Sequence, residues 1–243
     1  NQGFLVDKEQ ARILLEAIPG TYKVLKPYLN GSQLVDGAIK YYVLDFHGLN
    51  NTNLSIEYPQ LYQLVYDRVK DMRTLNRENR TAENWWLFRR SGQTLRDAIS
   101  GLQYYVATTR TAKHRVFQLL SSEIIAESKI VVIAIETGYE LGCLTSRVHV
   151  TWAMSSGAWL GIGNDSTYNH TDCFETFPFP DASVEQQTLV RDLAVRLGGT
   201  PNALRDLSIS LDNVARVARA QGDWSQSETL YRESLAIGRN LAE

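Results

Sequence analysis

An α+β fold is what this sequence predicts: a mixed sheet-and-helix domain over residues 1–182, followed by an all-α helical hairpin over 183–243. Three observations carry that expectation. Strand-like and helix-like runs follow one another in irregular order through the first 180 residues, which argues against a doubly wound parallel sheet. The segment CFETFPFP, residues 173–180, places Phe174, Phe177 and Phe179 beside Pro178 and Pro180. Proline fixes its own backbone and pushes its predecessor towards extended geometry, so a stiff segment with apolar rings to bury should close a domain. From Ser183 onward no β-like run occurs.

Taken in order, DKEQARILLEAI at 7–18 reads as a short amphipathic helix that stops before Pro19, and YLNGSQLVDG reads as a turn-rich loop. KYYVLDF at 40–46 reads as a strand. Leu61, Val65, Val69, Met72 and Leu75 recur at helical spacing and define the apolar stripe of a longer helix. Strands are expected at 104–109 (YYVATT), 115–120 (RVFQLL) and 129–135 (KIVVIAI), where β-branched and aromatic residues dominate. Residues 139–153 return to helical period, with Leu141, Leu144, Val148 and Trp152 on one face. Beyond the closing segment, Leu207, Leu211, Val214 and Ala218 form one stripe. After the break at Gln221-Gly222-Asp223, Trp224, Tyr231 and Leu235 form a second.

Composition is that of an ordinary globular protein, 44% hydrophobic and 21% charged, with no run long enough to span a membrane. Asn1 is not an initiator methionine, which suggests a piece of a longer polypeptide. Two cysteines are too few for a disulfide framework and suit a reducing cytoplasm. The net charge of -2 conceals a division: residues 61–120 hold eleven basic and five acidic groups, the remainder fourteen and twenty-two. Such a block marks a localised polyanion site or a solvated face. Within it Lys70, Arg73, Arg77 and Arg80 recur at i, i+3, i+7 and i+10, in one quadrant of a continuous helix at about 100° per residue. They form either a solvated ridge paired with Asp71 and Glu78 or, with Lys113 and Arg115, a set that grips phosphates. Trp85-Trp86 reads as core in preference to a base-stacking pair.

Catalytic patterns are scarce. No two prolines adjoin, so the Asn/Asp-Pro-Pro-aromatic loop of amino-methyltransferases is missing, and GIG at 161–163 is too short for a nucleotide loop. Asp97, Glu127 and Lys129 offer the acid and lysine types of a magnesium nuclease, a constellation that a solvent-facing strand start explains as well. Cys143, His149, His170 and Cys173 have spacings, C-x5-H and H-x2-C, that fit no usual zinc pattern.

Four stretches in this order, KPYLNGSQL (26–34), YYVATTRTAKHRVF (104–117), LGCLTSRVHVTWA (141–153) and CFETFPFP, resemble the target-recognition region of MmeI-like restriction–modification enzymes. These are single polypeptides joining endonuclease, adenine methyltransferase and DNA-recognition parts. The resemblance covers residues 1 to about 180. It implies double-stranded DNA as partner, methyltransferase and nuclease domains in a parent polypeptide, and S-adenosylmethionine and magnesium as that parent's cofactors, with none in this chain. It also implies base-reading positions in the loop after Ala107, at the start of the 129–135 strand and in the loop before Tyr168. Here those are Thr108, Arg110, Lys129, Asn164 and Asp165. The C-terminal hairpin resembles a tetratricopeptide repeat, with Gly222, Tyr231 and Leu235 at its turn and anchor positions. A lone repeat leaves its own face uncovered, which implies a protein partner or docking on the preceding domain.

Overall fold

The computed structural model describes residues 2–36, 39–75, 79–160 and 165–196. The helical hairpin expected near the C-terminus lies outside them. The chain divides into two compact units: Asn1–Gln33, Ala38–Ser100 and Ser122–Glu127 form the first, and Leu34–Gly37, Gly101–Ser121 and Ser128–Glu243 the second. Helices and sheets mix without alternation, so the α+β expectation holds.

Strand β1 (Leu5–Asp7) runs into helix α1 (Lys8–Ala17), whose first turn is capped by Asp7 accepting from the Gln10 amide at 2.8 Å. After β2 (Leu25–Leu29), the stretch expected to be loop is instead the short helix α2 (Gly31–Asp36). The reason is a capping box. Asn30 Oδ1 accepts from the Gln33 amide and Gln33 Oε1 accepts from the Asn30 amide, both at 3.0 Å, so two donors of the helix start are satisfied reciprocally. Strand β3 (Tyr41–Leu44) lies between β1 and β2, antiparallel to both.

Helices α3 (Asn51–Glu57) and α4 (Pro59–Thr74) follow, the second opening on a proline at a position that needs no amide donor. Leu61, Val65 and Val69 of α4 are buried with Phe4, Leu44, Phe46, Trp85 and Trp86 in the first core, so the paired tryptophans are core as expected. The stripe ends there. Met72 is 71% exposed and Leu75 86%, and α4 stops at Thr74, whose hydroxyl donates back to the Lys70 and Asp71 carbonyls. A separate short helix, α5 (Asn79–Glu83), precedes α6 (Gln93–Ile99). Lys70 and Arg73 thus lie on α4, which ends at Thr74, before Arg77 and Arg80.

Strand β4 (Tyr104–Thr109) is the centre of the second unit, flanked antiparallel by β6 (Phe117–Ser121) and β8 (Ile130–Ile133), with the two-residue β5 (Thr111–Ala112) between β4 and β6. Strand β7 (Ile125–Ala126) returns to the first sheet, parallel to β2, which completes the order β1-β3-β2-β7. Where one helix was expected over 139–153 there are two, α7 (Gly138–Thr145) and α8 (Arg147–Ser156). Ser146 breaks them: its backbone is extended and its hydroxyl accepts from the His149 amide, capping α8. Leu141 and Leu144 are buried as expected, whereas the break leaves Val148 exposed.

Strands β9 (Trp159–Leu160) and β10 (Asp165–Thr167) make a third small sheet in the order β5-β10-β9. The closing segment begins as a single π-helical turn, His170–Phe174, capped by Asn169. Phe177 is buried, 4.6 Å from the His149 ring and 5.1 Å from Phe179, while Phe174 and Phe179 pack part-buried against the second core. Helix α9 (Val184–Arg196) starts at a second capping box, Ser183 with Gln186, and sends Val190 into that same core. Its approach to α7 is close. A Cβ on Gly138 would lie 3.1 Å from Arg191 O, so a larger residue there would push the helices apart.

Phe177→Ala removes a ring from a filled core and is expected to cost about 3–5 kcal/mol. Urea unfolding measures it. A loss under about 1 kcal/mol, the scale of surface changes, would mean the closing segment is not part of the core.

Candidate nucleic-acid interface

The phosphate and base readers expected from sequence meet different fates. Arg73 is half-buried on α4, with its guanidinium 4.8 Å above the Phe4 ring, donating to the carbonyls of Trp85 (3.0 Å) and Leu87. Burial lowers its pKa from the ordinary arginine value. It holds the tryptophan segment on α4 and is a correction to the phosphate set. Lys70 lies over the Trp85 ring at 5.0 Å. Arg77 lies outside the described residues, as does the side chain of Arg80 on α5. The first unit also has a cleft of about 130 Å³ lined by Asp45, His47, Leu87, Phe88 and Arg96, among others. Arg96 is committed there, to the Asp45 carboxylate at 2.8 Å and the Ser91 carbonyl at 2.9 Å.

Arg115 is the second correction. Its guanidinium is turned inward, donating to Thr109 O, to Ser166 O at 2.8 Å and to Ser166 Oγ at 3.2 Å, while it stacks 5.3 Å from the Tyr168 ring centre. Burial again lowers its pKa. This one cation ties β4 to β10, and Ser166 Oγ extends the tie to β5 through Ala112 O at 3.2 Å. Thr108 is the third correction. It is fully buried in β4, where its hydroxyl donates to Val116 O at 2.7 Å, so it faces the core and no base.

Arg110 and Lys129 are brought together. The β4–β8 ladder pairs Thr109 with Ile130, and one residue further the Arg110 amide donates to Lys129 O at 2.7 Å. The Arg110 carbonyl then accepts from the Tyr168 amide at 2.7 Å, so its backbone joins two sheets while its side chain is exposed. Lys113 is exposed just after β5. On β10, Thr167 faces Thr111 and Asp165 begins the strand two residues earlier, a rise of about 7 Å. Asp165 is part-buried opposite Leu160; Asn164 lies outside the described residues. Arg110, Lys113, Lys129 and Asp165 thus share one rim.

Behind the rim sits a residue set that the sequence left among its zinc candidates. His149 is fully buried, with Nδ1 bonded to Leu144 O at 2.8 Å and Nε2 facing the Tyr168 hydroxyl at 3.3 Å. Cys143 and Cys173 are buried free thiols, and burial pushes the Cys143 thiol up to about 11. Among the described residues no three His, Cys, Asp or Glu side chains come together to hold a metal ion, Asp97 and Glu127 included. Nor is any described helix long and apolar enough to cross a membrane. The inward roles of Arg115 and Tyr168 had no signal in the sequence beyond their place among apolar neighbours.

A braced α+β frame with exposed cations and a carboxylate on one rim defines a binding domain. The chain belongs to the MmeI target recognition domain family, whose model matches residues 1–181. Its fold is shared with the solved structure described as "Type IIL restriction-modification enzyme MmeI in complex with DNA", at a TM-score of 0.70 and 14% identity, covering 96% of this chain and 34% of that one. No curated protein sequence matches. The chain therefore spans about a third of the solved enzyme's length, and α9 continues the second core past the end of the family match.

Burial holds the His149 pKa at about 4, below its ordinary 6.5. The unfolded chain binds that proton first as pH falls, so the neutral ring's contribution is complete above about pH 6.5 and drains away towards pH 4. Stability should fall in that window with a slope approaching about 1.4 kcal/mol per pH unit. His149→Gln should be less stable at neutral pH yet flatter between 6.5 and 4. Parallel acid limbs for the two proteins in urea titrations would show that His149 titrates normally.

Proposed function

We propose that this chain reads a specific double-stranded DNA sequence on behalf of a restriction–modification enzyme that methylates adenine. The observation that carries this reading is the rim itself. Exposed Arg110, Lys113 and Lys129 and part-buried Asp165 all lie at or beside strand ends whose backbones are bonded to one another. Cations of this kind attract phosphates at any sequence, whereas a fixed arginine matches guanine and a carboxylate accepts from cytosine's amino group. Support comes from the family, and from the fold shared with an enzyme solved in complex with DNA.

On this reading Arg110, Lys129 and Asp165 face base edges, with Asn164 beside them in sequence, and Lys113 grips the backbone. Lys70, Arg77 and Arg80 remain candidates for phosphate contacts. The methyltransferase and nuclease domains, with S-adenosylmethionine and magnesium, belong to the parent polypeptide, because no catalytic loop stands in this sequence. The buried free thiols accord with a reducing cytoplasm.

Selection from random duplexes should return one consensus site. Against that site, Asp165→Ala should relax preference at a single base pair, worth about 1–3 kcal/mol of discrimination, and leave the salt dependence unchanged. Lys113→Gln should do the opposite, weakening every duplex alike and lowering the slope of log affinity against log salt by about 0.9. A panel of single-base substitutions at several salt concentrations separates the two. Uniform weakening by Asp165→Ala would remove it from the base readers.

A further inference from the structure

The segment that joins α5 to α6 has little regular structure, yet its main chain and rings are held from behind. Arg73 donates to Trp85 O and Leu87 O, the Trp86 indole donates to Leu49 O at 2.9 Å, and the Phe88 ring meets Phe4 edge-on at 5.4 Å. Leu87, Phe88 and Arg89 of this segment line the cleft of about 130 Å³ together with Asp45, His47 and Arg96. A cleft whose walls are already fixed has little ordering left to lose when it takes a ligand.

Its chemistry selects an anion. Asp45 is the only carboxylate among the described lining residues, and both of its oxygens are engaged: Oδ2 holds Arg96 Nη1 at 2.8 Å and Oδ1 accepts from the His47 amide at 3.3 Å. It therefore has little to offer a metal ion and serves instead to orient the guanidinium. Arg96 Nε donates to Ser91 O at 2.9 Å, which leaves the two donors of Nη2, in a fixed plane, with no acceptor among the described residues. Arg89 and the His47 ring are exposed, and two guanidiniums against one carboxylate leave the lining positive.

We propose that this cleft is a phosphate site, with Arg96 as its anchor and Arg89 and His47 beside it. A planar guanidinium held in one orientation suits the oxygens of a phosphate group, and its bonds to an anion are charge-assisted. The volume is well below the roughly 300–1,000 Å³ that encloses a whole small molecule, so a single functional group enters. A backbone phosphate of DNA and a free phosphate present the same chemistry to these residues. Base reading at the rim uses none of them, so the site stands or falls separately from it.

The full chain is titrated with inorganic phosphate at constant pH and ionic strength, and the ring-proton NMR signals of its four histidines are followed. His47→Gln identifies the His47 signals by their loss. In the wild type these signals should move and saturate, while those of His114 and His170 stay in place. Asp45→Asn combined with Arg96→Gln removes the cation and keeps the pair neutral. This double variant should weaken the response about tenfold or more, the scale of one lost hydrogen bond to a charged group. Should it fail to fold, the wild-type titration still decides. A duplex of random sequence is the second probe. A His47 response to the duplex that the double variant loses assigns the site to the DNA backbone, and a response to inorganic phosphate alone assigns it to a free phosphate. No His47 response to either probe, equal phosphate shifts at His114 and His170, or a response that the folded double variant keeps in full would overturn the site. Absence of sequence-selective DNA binding would leave it intact and count only against the function proposed above.

Discussion

A guanidinium taken out of water must find acceptors for its donors, and in the second unit the acceptors nearest to Arg115 are main-chain oxygens of two strands. Thr109 and Ser166 belong to different sheets, and the ladders of the second are only two residues long. The hydrogen bonds of a charged donor are worth about 1.5–3 kcal/mol each when buried. They substitute here for the strand pairing that a two-residue ladder lacks. Tyr168 completes the bracket, taking the cation on its ring face and passing its hydroxyl to His149. The exposed rim is thus held from behind by a charge turned inward onto main-chain carbonyls.

The same device recurs in the first unit. Arg73 gives its donors to Trp85 O and Leu87 O and lays its plane on Phe4, fixing a segment that has little regular structure. In both units an arginine does what a longer hydrophobic contact would do in a larger core, and both come from the stretch where basic residues are concentrated. That excess of positive charge therefore has two destinations, inward onto carbonyls and outward onto the rim. Charge counting alone does not distinguish them.

Most of the frame was legible because patterns of period 2 and 3.6 are local. β4 occupies the six residues expected of it, α1 ends where Pro19 requires, and the phenylalanine-proline segment packs on the second core. The misreadings have equally local causes. Asn30 and Gln33 cap a helix inside a stretch rich in turn residues, and Ser146 caps one inside a helical pattern; the first is visible as an N-x-x-Q spacing. Periodicity carried α4 beyond Thr74 because charged residues keep helical spacing whether or not the helix continues. For the site, the positions implied by family resemblance at Arg110 and Lys129 are exposed and that at Asp165 is part-buried. Thr108 lies one strand residue too far in, and strand alternation combined with the burial of β4 decides its direction.

Arg110 meets the rest of the protein through its own amide and carbonyl, and Lys129 through its carbonyl. Neither anchor depends on what the side chain is. Exchange of an exposed side chain at such a position typically alters stability by no more than about 0.5 kcal/mol, a small fraction of a domain's total. Natural drift can therefore sample many residue types at these two positions without passing through an unfolded ancestor. A scaffold of this kind separates heritable foldedness from heritable preference, and lineages built on it can diverge in what they bind while remaining superimposable in how they are made.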